Sequence, residues 1–208
     1  MNKGIIFDID GTLWNSTKTV LKAWNLALDE AGLDAIKMED VLSCMGLTGQ
    51  QIADKLLPEQ TQETKMSILQ NCFNIEHQLL ENEGGELFPY EKEVLEELAK
   101  EYPLFILTNA GPTYIELFLN DSKLAPFFTD SLSHGENGKS KTENIKILME
   151  RHHLENAVYV GDTRDDQIYS QNVPVPFIFA SYGFGKAIDP EYSINDLSEL
   201  PMLIKSIL

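Results

Sequence analysis

The chain has 208 residues, of which 43% are hydrophobic and 24% are charged. These values are ordinary for a globular protein, and they exclude collagen-like and disordered chains. The 16 basic residues are outnumbered by 33 acidic residues, which gives a formal net charge of −17. This charge argues against nucleic acid and against an anionic membrane surface as partners. It also opposes the approach of an anionic substrate unless local cations attract that substrate.

The N-terminal sequence and the cysteines favour an intracellular protein. The apolar run before Asp8 is too short for a signal peptide. No stretch reaches the about 18 apolar residues of a membrane-spanning helix. The two cysteines, Cys44 and Cys72, are far apart and do not have the spacing of metal ligands. We therefore expect a cytoplasmic protein with reduced thiols. No coiled-coil pattern is present, and we expect a monomer or a weak homodimer.

The first part of the chain predicts one strand followed by a block of helices. Residues 4–7 form a short apolar run, a pattern typical of a buried strand. Residues 17–82 then favour helices throughout, with apolar residues at helical spacing and no convincing strand. Residues 83–86 read Glu-Gly-Gly-Glu, which indicates a turn or hinge.

The second part of the chain alternates helices with strands. Strands are predicted at 104–107, 127–132, 157–160 and 176–180, and the last helix at 197–207. Apolar strands separated by single helices are typical of a parallel sheet that is covered on both faces. The sequence therefore predicts an α/β fold with a Rossmann-like, doubly wound parallel sheet as its core. Residues 1–16 and 86–208 would form this core, and residues 17–85 would form an inserted α-helical cap domain.

Three of the predicted strands end in polar residues. The first is followed by Asp8 and Asp10, the second by Thr108 and Asn109, and the third by Asp162. Because ligands of open parallel sheets gather at the carboxyl ends of the strands, we expect these side chains to share one crevice. Clustered carboxylates repel one another unless a cation neutralises them, and oxygen ligands suit Mg²⁺. Each aspartate could instead cap the following helix, but three such acids together favour a metal site.

These residues lie in four motifs that resemble those of the haloacid-dehalogenase-like superfamily of phosphohydrolases. The motifs are residues 7–13 (FDIDGTL), residues 107–109 (LTN), a lysine at the head of the helix near Thr142, and residues 160–163 (VGDT) with Asp166. Their order and spacing span nearly the whole chain. The helical block after the first motif resembles the cap domain of phosphoglycolate-phosphatase-like members.

The resemblance implies a Mg²⁺-dependent phosphatase that hydrolyses a small phosphorylated metabolite through an aspartyl-phosphate intermediate. Asp8 would be the nucleophile, and Asp10 would be the general acid and base. The Mg²⁺ would be held by Asp8, by the backbone carbonyl of Asp10 and by Asp162. The groups that bind the phosphoryl oxygens would be the Thr108 hydroxyl, the Asn109 backbone amide and a lysine.

Two lysines compete for the third motif, because residues 138–145 read GKSKTENI. Lys141 lies just before the predicted helix, and the Lys-x-Glu-Asn-Ile run resembles one branch of the family, so we favour Lys141 over Lys139. The Lys-Pro-x-Pro sequence of many relatives is missing here. In the fourth motif, Asp166 would orient the site from the second shell around the metal.

Two other functions fit the same motifs. A phosphomutase would use the same aspartyl phosphate but return the phosphoryl group to a sugar, and the motifs do not separate it from a phosphatase. A catalytically silent binding module is disfavoured because both Asp8 and Asp10 are present. Two glycine-containing segments outside the motifs are expected near the substrate. These are residues 46–50 in the cap and residues 183–185 at the rim of the crevice.

Overall fold

The central feature of the computed structural model is a six-stranded parallel sheet. The structure describes residues 2–208, and within that range eight strands are present. In chain order they are β1 (Lys3–Phe7), β2 (Trp14–Asn15), β3 (Glu86–Leu87), β4 (Leu104–Thr108), β5 (Phe128–Ser133), β6 (Asn156–Gly161), β7 (Phe177–Ala180) and β8 (Tyr192–Ile194). The large sheet has the order β5-β4-β1-β6-β7-β8, and all its neighbouring strands pair in parallel. The predicted parallel α/β fold is confirmed.

Ten α-helices are present within residues 2–208. They are α1 (Thr17–Glu30), α2 (Met38–Leu42), α3 (Gly49–Leu56), α4 (Gln62–Glu83), α5 (Glu91–Leu98), α6 (Tyr114–Ser122), α7 (His134–Asn137), α8 (Lys141–Arg151), α9 (Arg164–Gln171) and α10 (Leu200–Ile207). None of these helices combines the length and the apolar character needed to cross a bilayer.

Helices cover both faces of the sheet, which explains why its central strands are apolar. In β1, Ile5 and Phe7 belong to one cluster of buried residues and Ile6 belongs to another. This alternation follows the two-residue period of a strand. The first cluster takes most of its helical residues from α5, α6 and α10 and one, Leu80, from α4, and the second takes them from α8. Strand β1 is therefore buried from both sides in the middle of the sheet.

The helices α1 to α4 pack around a separate apolar cluster. Its members include Val20 and Trp24 from α1 and Leu69 and Cys72 from α4, and α1 and α4 form its largest helix–helix contact. Helix α4 begins at a Thr61 cap, whose hydroxyl accepts a hydrogen bond from the backbone N–H of residue 64. This helical block follows the first strand in the sequence, as predicted.

A short antiparallel ribbon joins the helical block to the sheet. In it, β2 pairs with β3, so the two chain segments that enter and leave the block run side by side. The Asp121 carboxylate of α6 accepts hydrogen bonds from Trp14 Nε1 at 3.2 Å and from the Gly85 backbone N–H at 3.0 Å. We propose that the core is formed by residues 1–16 and 86–208 and the cap by residues 17–85, because the chain enters and leaves the helical block at this ribbon.

The structure differs from the predicted elements in a few places. The strands β2, β3 and β8 were not predicted, because two or three residues are too few to show a period. The predicted helix at 197–207 begins as a 3-10 turn, Leu197–Glu199, before α10 starts. Pro201 lies in the first turn of α10, where its missing N–H has no helical partner to lose.

Candidate active site

The predicted polar residues meet at one edge of the sheet. The adjacent strands β4, β1 and β6 carry Thr108 at the end of β4, Asp8 directly after β1 and Asp162 directly after β6. All three residues are buried. Their convergence follows from the parallel order of the strands, because parallel strands present their carboxyl ends at the same edge.

Three buried carboxylates form a cluster at this edge. Asp8, Asp162 and Asp166 each place an oxygen within 4.8 Å of the other two. Asp166 comes from the first turn of α9 and not from a strand end. Its Oδ2 accepts hydrogen bonds from the backbone N–H and the hydroxyl of Thr163, the N-cap residue of that helix. The capping box between Thr163 and Asp166 therefore holds the Asp166 carboxylate in the cluster.

Lys141 is the cation of the cluster. It is only 1% exposed, and its Nζ lies 2.9 Å from Asp8 Oδ1 and 2.7 Å from Asp166 Oδ1. Burial lowers the pKa of Lys141, but the charges of Asp166 and Asp8 outweigh this effect and raise that pKa well above its ordinary value. Lys139 is exposed to solvent. The structure thus brings Lys141 into the crevice and leaves Lys139 outside it.

The position of Lys141 follows from the start of α8. Ser140 is the N-cap, its hydroxyl accepts from the Glu143 backbone N–H, and Glu143 accepts from the Ser140 backbone N–H at 2.9 Å. This capping box makes Lys141 the first residue of the helix. Side chains of an α-helix tilt toward its N-terminus, and the Lys141 side chain reaches Asp8 directly after β1.

Two oxygens of the cluster have no hydrogen-bond partner among the described residues. They are Asp8 Oδ2 and Asp162 Oδ1, and both are buried. Burial raises the pKa of Asp8 well above its ordinary value; the Lys141 ammonium opposes this shift. Burial also raises the pKa of Asp162 to about 7, and the charge of Asp166 adds to that shift. Three carboxylates against one ammonium leave excess negative charge and free oxygen ligands, a donor set that fits a hard divalent cation such as Mg²⁺.

The loop at residues 183–185 contacts Asp162 and binds its carboxylate. Asp162 Oδ2 accepts hydrogen bonds from the backbone N–H of Phe184 at 2.7 Å and of Gly185 at 3.1 Å. A Cβ on Gly183 would lie 2.3 Å from the Asp162 Cβ and 2.4 Å from the Gly11 carbonyl oxygen, so only glycine fits there. The segment expected at the rim therefore orients one of the three carboxylates.

Asp10 lies beside the cluster and points in a different direction. The chain turns at Gly11, whose φ of +78° is the left-handed region that favours glycine. Asp10 Oδ1 accepts hydrogen bonds from the Tyr114 hydroxyl at 2.6 Å and from the Ser16 hydroxyl at 3.2 Å. Burial raises the pKa of Asp10, although both hydrogen bonds oppose that shift. No motif pointed to Tyr114, which the sequence analysis missed.

The predicted phosphate-binding residues Thr108 and Asn109 face the same crevice. Thr108 and Asn109 are buried, and both line a cavity of about 620 Å³ together with Asp8 and Asp10. The Asn109 side-chain amide donates to the Gly46 carbonyl at 2.8 Å, a contact between the core and the helical block. The cap segment expected near the substrate thus lies over the strand ends.

Comparisons with known proteins agree with this geometry. Among curated proteins, phosphoglycolate phosphatases from Vibrio parahaemolyticus and from Escherichia coli K12 are 25% and 26% identical to the chain. The first alignment covers 95% of this chain and 94% of the relative, and the second covers 97% and 92%. A Bacillus mycoides pyrophosphatase is 26% identical, with 98% of this chain and 97% of the relative covered.

Solved structures share the fold at lower identity. A predicted phosphoglycolate phosphatase from Haemophilus somnus superposes with a TM-score of 0.86 at 22% identity, covering 98% of both chains. A haloacid dehalogenase-like family protein from Streptococcus pneumoniae gives a TM-score of 0.80 at 21% identity, again covering 98% of both chains. The sequence model of the haloacid dehalogenase-like hydrolases matches residues 5–180. The chain therefore belongs to the haloacid dehalogenase-like hydrolase family, and it is similar to the phosphoglycolate phosphatases of that family.

Proposed function

We propose that the chain is a Mg²⁺-dependent phosphatase that hydrolyses a small phosphorylated metabolite through an aspartyl phosphate on Asp8. One observation carries this proposal. Asp8 lies at the floor of the cavity with Lys141 Nζ 2.9 Å from its Oδ1, while its Oδ2 has no partner among the described residues. A buried carboxylate oriented by one oxygen and free at the other is suited to nucleophilic attack.

The proposed reaction has two halves, and Asp8 and Asp10 take part in both. In the first half, an Asp8 oxygen attacks phosphorus, the bond from phosphorus to the leaving oxygen breaks, and Asp10 gives its proton to that oxygen. In the second half, water attacks the aspartyl phosphate while Asp10 takes its proton, and the bond between Asp8 and phosphorus breaks. The raised pKa of Asp10, caused by burial, favours the protonated acid that the first half needs.

The transferred phosphoryl group needs positive charge and hydrogen-bond donors around its oxygens. The Thr108 hydroxyl, the Asn109 backbone N–H and the Lys141 ammonium would bind these oxygens. Asp166 holds Lys141 in place through its Oδ1, at 2.7 Å, and thus acts on the phosphate through the lysine.

Mg²⁺ would be held by Asp8, Asp162 and the backbone carbonyl of Asp10. When bound there, it supplies the positive charge that lets an anionic carboxylate approach an anionic phosphate. The unpartnered Asp162 Oδ1 supports this assignment. Asp166 would not bind the metal itself but would orient the residues around it, because its two oxygens already bind Lys141, Tyr159 and Thr163.

Phosphate release with and without Mg²⁺ tests this proposal. We expect hydrolysis of p-nitrophenyl phosphate that requires Mg²⁺ and is lost in Asp8→Asn. The matched control is Asp34→Asn, which makes the same change at an exposed cap position and is expected to keep full activity. Hydrolysis that survives in Asp8→Asn overturns the covalent mechanism. A sugar phosphate that yields an isomer and no free phosphate would instead indicate the phosphomutase.

We further infer a cytoplasmic monomer or weak homodimer. Both cysteines, Cys44 and Cys72, are free and buried, as expected for a protein from a reducing compartment. Sedimentation or light scattering at increasing protein concentration would test the oligomeric state, and a stable dimer at every concentration would contradict our prediction.

A further inference from the structure

Polar side chains of the cap helix α4 line the cavity above Asp8. With a volume of about 620 Å³, this cavity has the size of a metabolite-binding pocket. Its polar residues from α4 are Gln70, Asn74, Glu76 and His77. Glu76 is 8% exposed and counts as buried, whereas the other three are exposed or partly exposed. Glu76 is therefore the polar residue of α4 that lies deepest in the protein.

The more exposed residues of this set already contact other protein groups. Gln70 Nε2 donates to Asn74 Oδ1 at 3.1 Å, and His77 Nδ1 lies 3.3 Å from the Thr113 hydroxyl. On the core side, His134 also lines the cavity, and its Nδ1 lies 2.9 Å from the Lys139 carbonyl. Amide and imidazole groups can bind charged or neutral ligands. These residues therefore do not define a substrate class by themselves.

Glu76 has one oxygen that is bound and one that is free. Trp24 Nε1 donates to Oε2 at 2.5 Å, and no group of residues 2–208 forms a hydrogen bond with Oε1. Burial raises the pKa of Glu76 to about 8 against the effect of the Trp24 hydrogen bond, so the side chain is a neutral acid near pH 7. Because an indole N–H can only donate, Oε2 is the carbonyl oxygen of this acid and the proton is on Oε1. The cavity wall thus carries an O–H donor without a protein partner, and such a buried group is expected to bind a ligand or a water.

Glu76 lies near the proposed acid–base group. The charge of Asp10 adds to the raised pKa of Glu76, and a charge on Glu76 would in turn raise the pKa of Tyr114. The Tyr114 hydroxyl donates to Asp10, and all three residues line the cavity. In the proposed reaction Asp10 gives its proton to the leaving oxygen, so the leaving alcohol lies beside Asp10. Glu76 is therefore placed to contact the leaving alcohol and not the phosphoryl group.

We propose that Glu76, as a carboxylic acid, donates a hydrogen bond from Oε1 to an oxygen of the leaving alcohol, so that the enzyme prefers phosphate esters with such an oxygen over plain alkyl esters. This inference rests on the proposed phosphatase function. The acceptor can be a hydroxyl, carbonyl or carboxylate oxygen, because each accepts from an acid O–H. The apolar residues Val20, Ile52 and Phe73 also line the cavity, and they would contact the carbon chain of the alcohol.

Two pairs of phosphate esters test the preference of the wild-type protein with Mg²⁺ present. Glycerol 3-phosphate is compared with propyl phosphate, and phosphoglycolate with ethyl phosphate, so each oxygenated ester has an alkyl partner with the same number of carbons. We expect kcat/KM for at least one oxygenated ester to exceed that for its partner by about tenfold or more, because the alkyl ester leaves the buried O–H unpaired. The absence of a preference in both pairs overturns the proposal.

Two variants at position 76 test the residue itself. Glu76→Leu removes both oxygens, whereas Glu76→Gln keeps an oxygen for Trp24 and directs its NH₂ donor into the cavity. We expect Glu76→Leu to lower the ratio of kcat/KM between the preferred oxygenated ester and its alkyl partner about tenfold, mainly through KM. Glu76→Gln should keep this ratio within about twofold of the wild-type value. An unchanged ratio in Glu76→Leu overturns the contact, and an equal loss in Glu76→Gln overturns the role of Glu76 as a donor.

The matched control is Glu63→Leu on the exposed first turn of α4, which should leave the ratio unchanged. Because the ratio compares two substrates on the same protein, a smaller folded fraction lowers both rates and cancels. If Glu76→Leu does not fold at all, the wild-type and Glu76→Gln measurements still decide. A missing preference in the wild type or a lost preference in Glu76→Gln then overturns the proposal.

The p-nitrophenyl phosphate assay keeps two kinds of failure apart. If the wild-type protein hydrolyses this compound but does not prefer either oxygenated ester, the selectivity proposal fails while the phosphatase proposal stands. If neither this compound nor any ester is hydrolysed, the phosphatase proposal itself fails and the selectivity proposal fails with it.

Discussion

The Tyr114 hydroxyl donates a hydrogen bond of 2.6 Å to Asp10 Oδ1, across 104 positions of the sequence. Tyr114 is the first residue of α6, and its ring packs edge-on against Trp14 at a centroid distance of 5.6 Å. The Ser16 hydroxyl lies 2.9 Å from the Tyr114 hydroxyl. The proposed acid–base group is therefore fixed by two residues of the core, Tyr114 on α6 and Ser16, which follows β2 of the ribbon.

We predict that Tyr114→Phe lowers kcat about tenfold with little change in KM for p-nitrophenyl phosphate. The ring and its packing stay, while Asp10 loses the 2.6 Å hydrogen bond from the Tyr114 hydroxyl and with it a fixed orientation. Steady-state kinetics with Mg²⁺ measure the effect. The control is Tyr90→Phe, since Tyr90 is 58% exposed. A change in KM alone would show that Tyr114 binds substrate and does not position Asp10.

The two lysines of the third motif give a second prediction. Lys141→Ala should lower kcat/KM by about 100-fold or more, because the variant loses a donor to the phosphoryl oxygens. Lys139→Ala should stay near the wild-type value, because Lys139 is exposed. Circular dichroism of both variants checks that they fold, since Lys141 also pairs with two buried carboxylates. Equal losses in the two variants would contradict the placement of Lys141 in the site.

Mg²⁺ should stabilise the folded protein even without substrate. Binding to the folded state alone raises the free energy of unfolding with metal concentration, and Asp162 Oδ1 is free to bind Mg²⁺. We expect the unfolding temperature to rise on adding Mg²⁺ and to fall again with a chelator. Asp162→Asn should abolish this response, while Asp34→Asn should retain it. A wild-type protein whose unfolding temperature ignores Mg²⁺ would contradict the metal site.

Parts of the site could be predicted from the sequence because they depend on local patterns. An apolar run that ends in Asp8 or Asp162 indicates both a strand and the location of its carboxyl end, and parallel order then brings such ends together. The start of α8 was predicted near Thr142, one residue late; the spacing of Ser140 and Glu143 is that of a capping box, which places the start at Lys141.

Other parts could not be predicted, because they depend on packing between distant segments. Tyr114 and Glu76 are an aromatic residue and an acid in ordinary helical patterns, and only the docked cap and core bring them to one cavity. The contact between Asn109 and Gly46 spans 63 positions and leaves no periodic signal in the sequence. Such groups need the tertiary structure to be found.

We expect Glu91 to make the stability of the folded protein depend on pH. It begins α5 and is 1% exposed. Its Oε2 accepts from the Phe88 N–H at 3.2 Å, and its Oε1 is buried with no partner among the described residues. Burial raises the pKa of Glu91 from 4.5 to about 9, although the Phe88 N–H opposes the shift. The folded state therefore keeps a proton that the unfolded state releases.

Because the pKa of Glu91 is raised in the folded state, its contribution to stability is complete below pH 4.5 and is lost as pH rises toward 9. The slope is at most about 1.4 kcal/mol per pH unit. Glu91→Gln removes this titration, so it should gain stability relative to the wild type as pH rises. The control Glu93→Gln, on the exposed side of the same turn, should follow the wild-type curve. Urea unfolding at a series of pH values measures the difference, and parallel curves for wild type and Glu91→Gln would show that Glu91 is ionised in the folded protein at neutral pH.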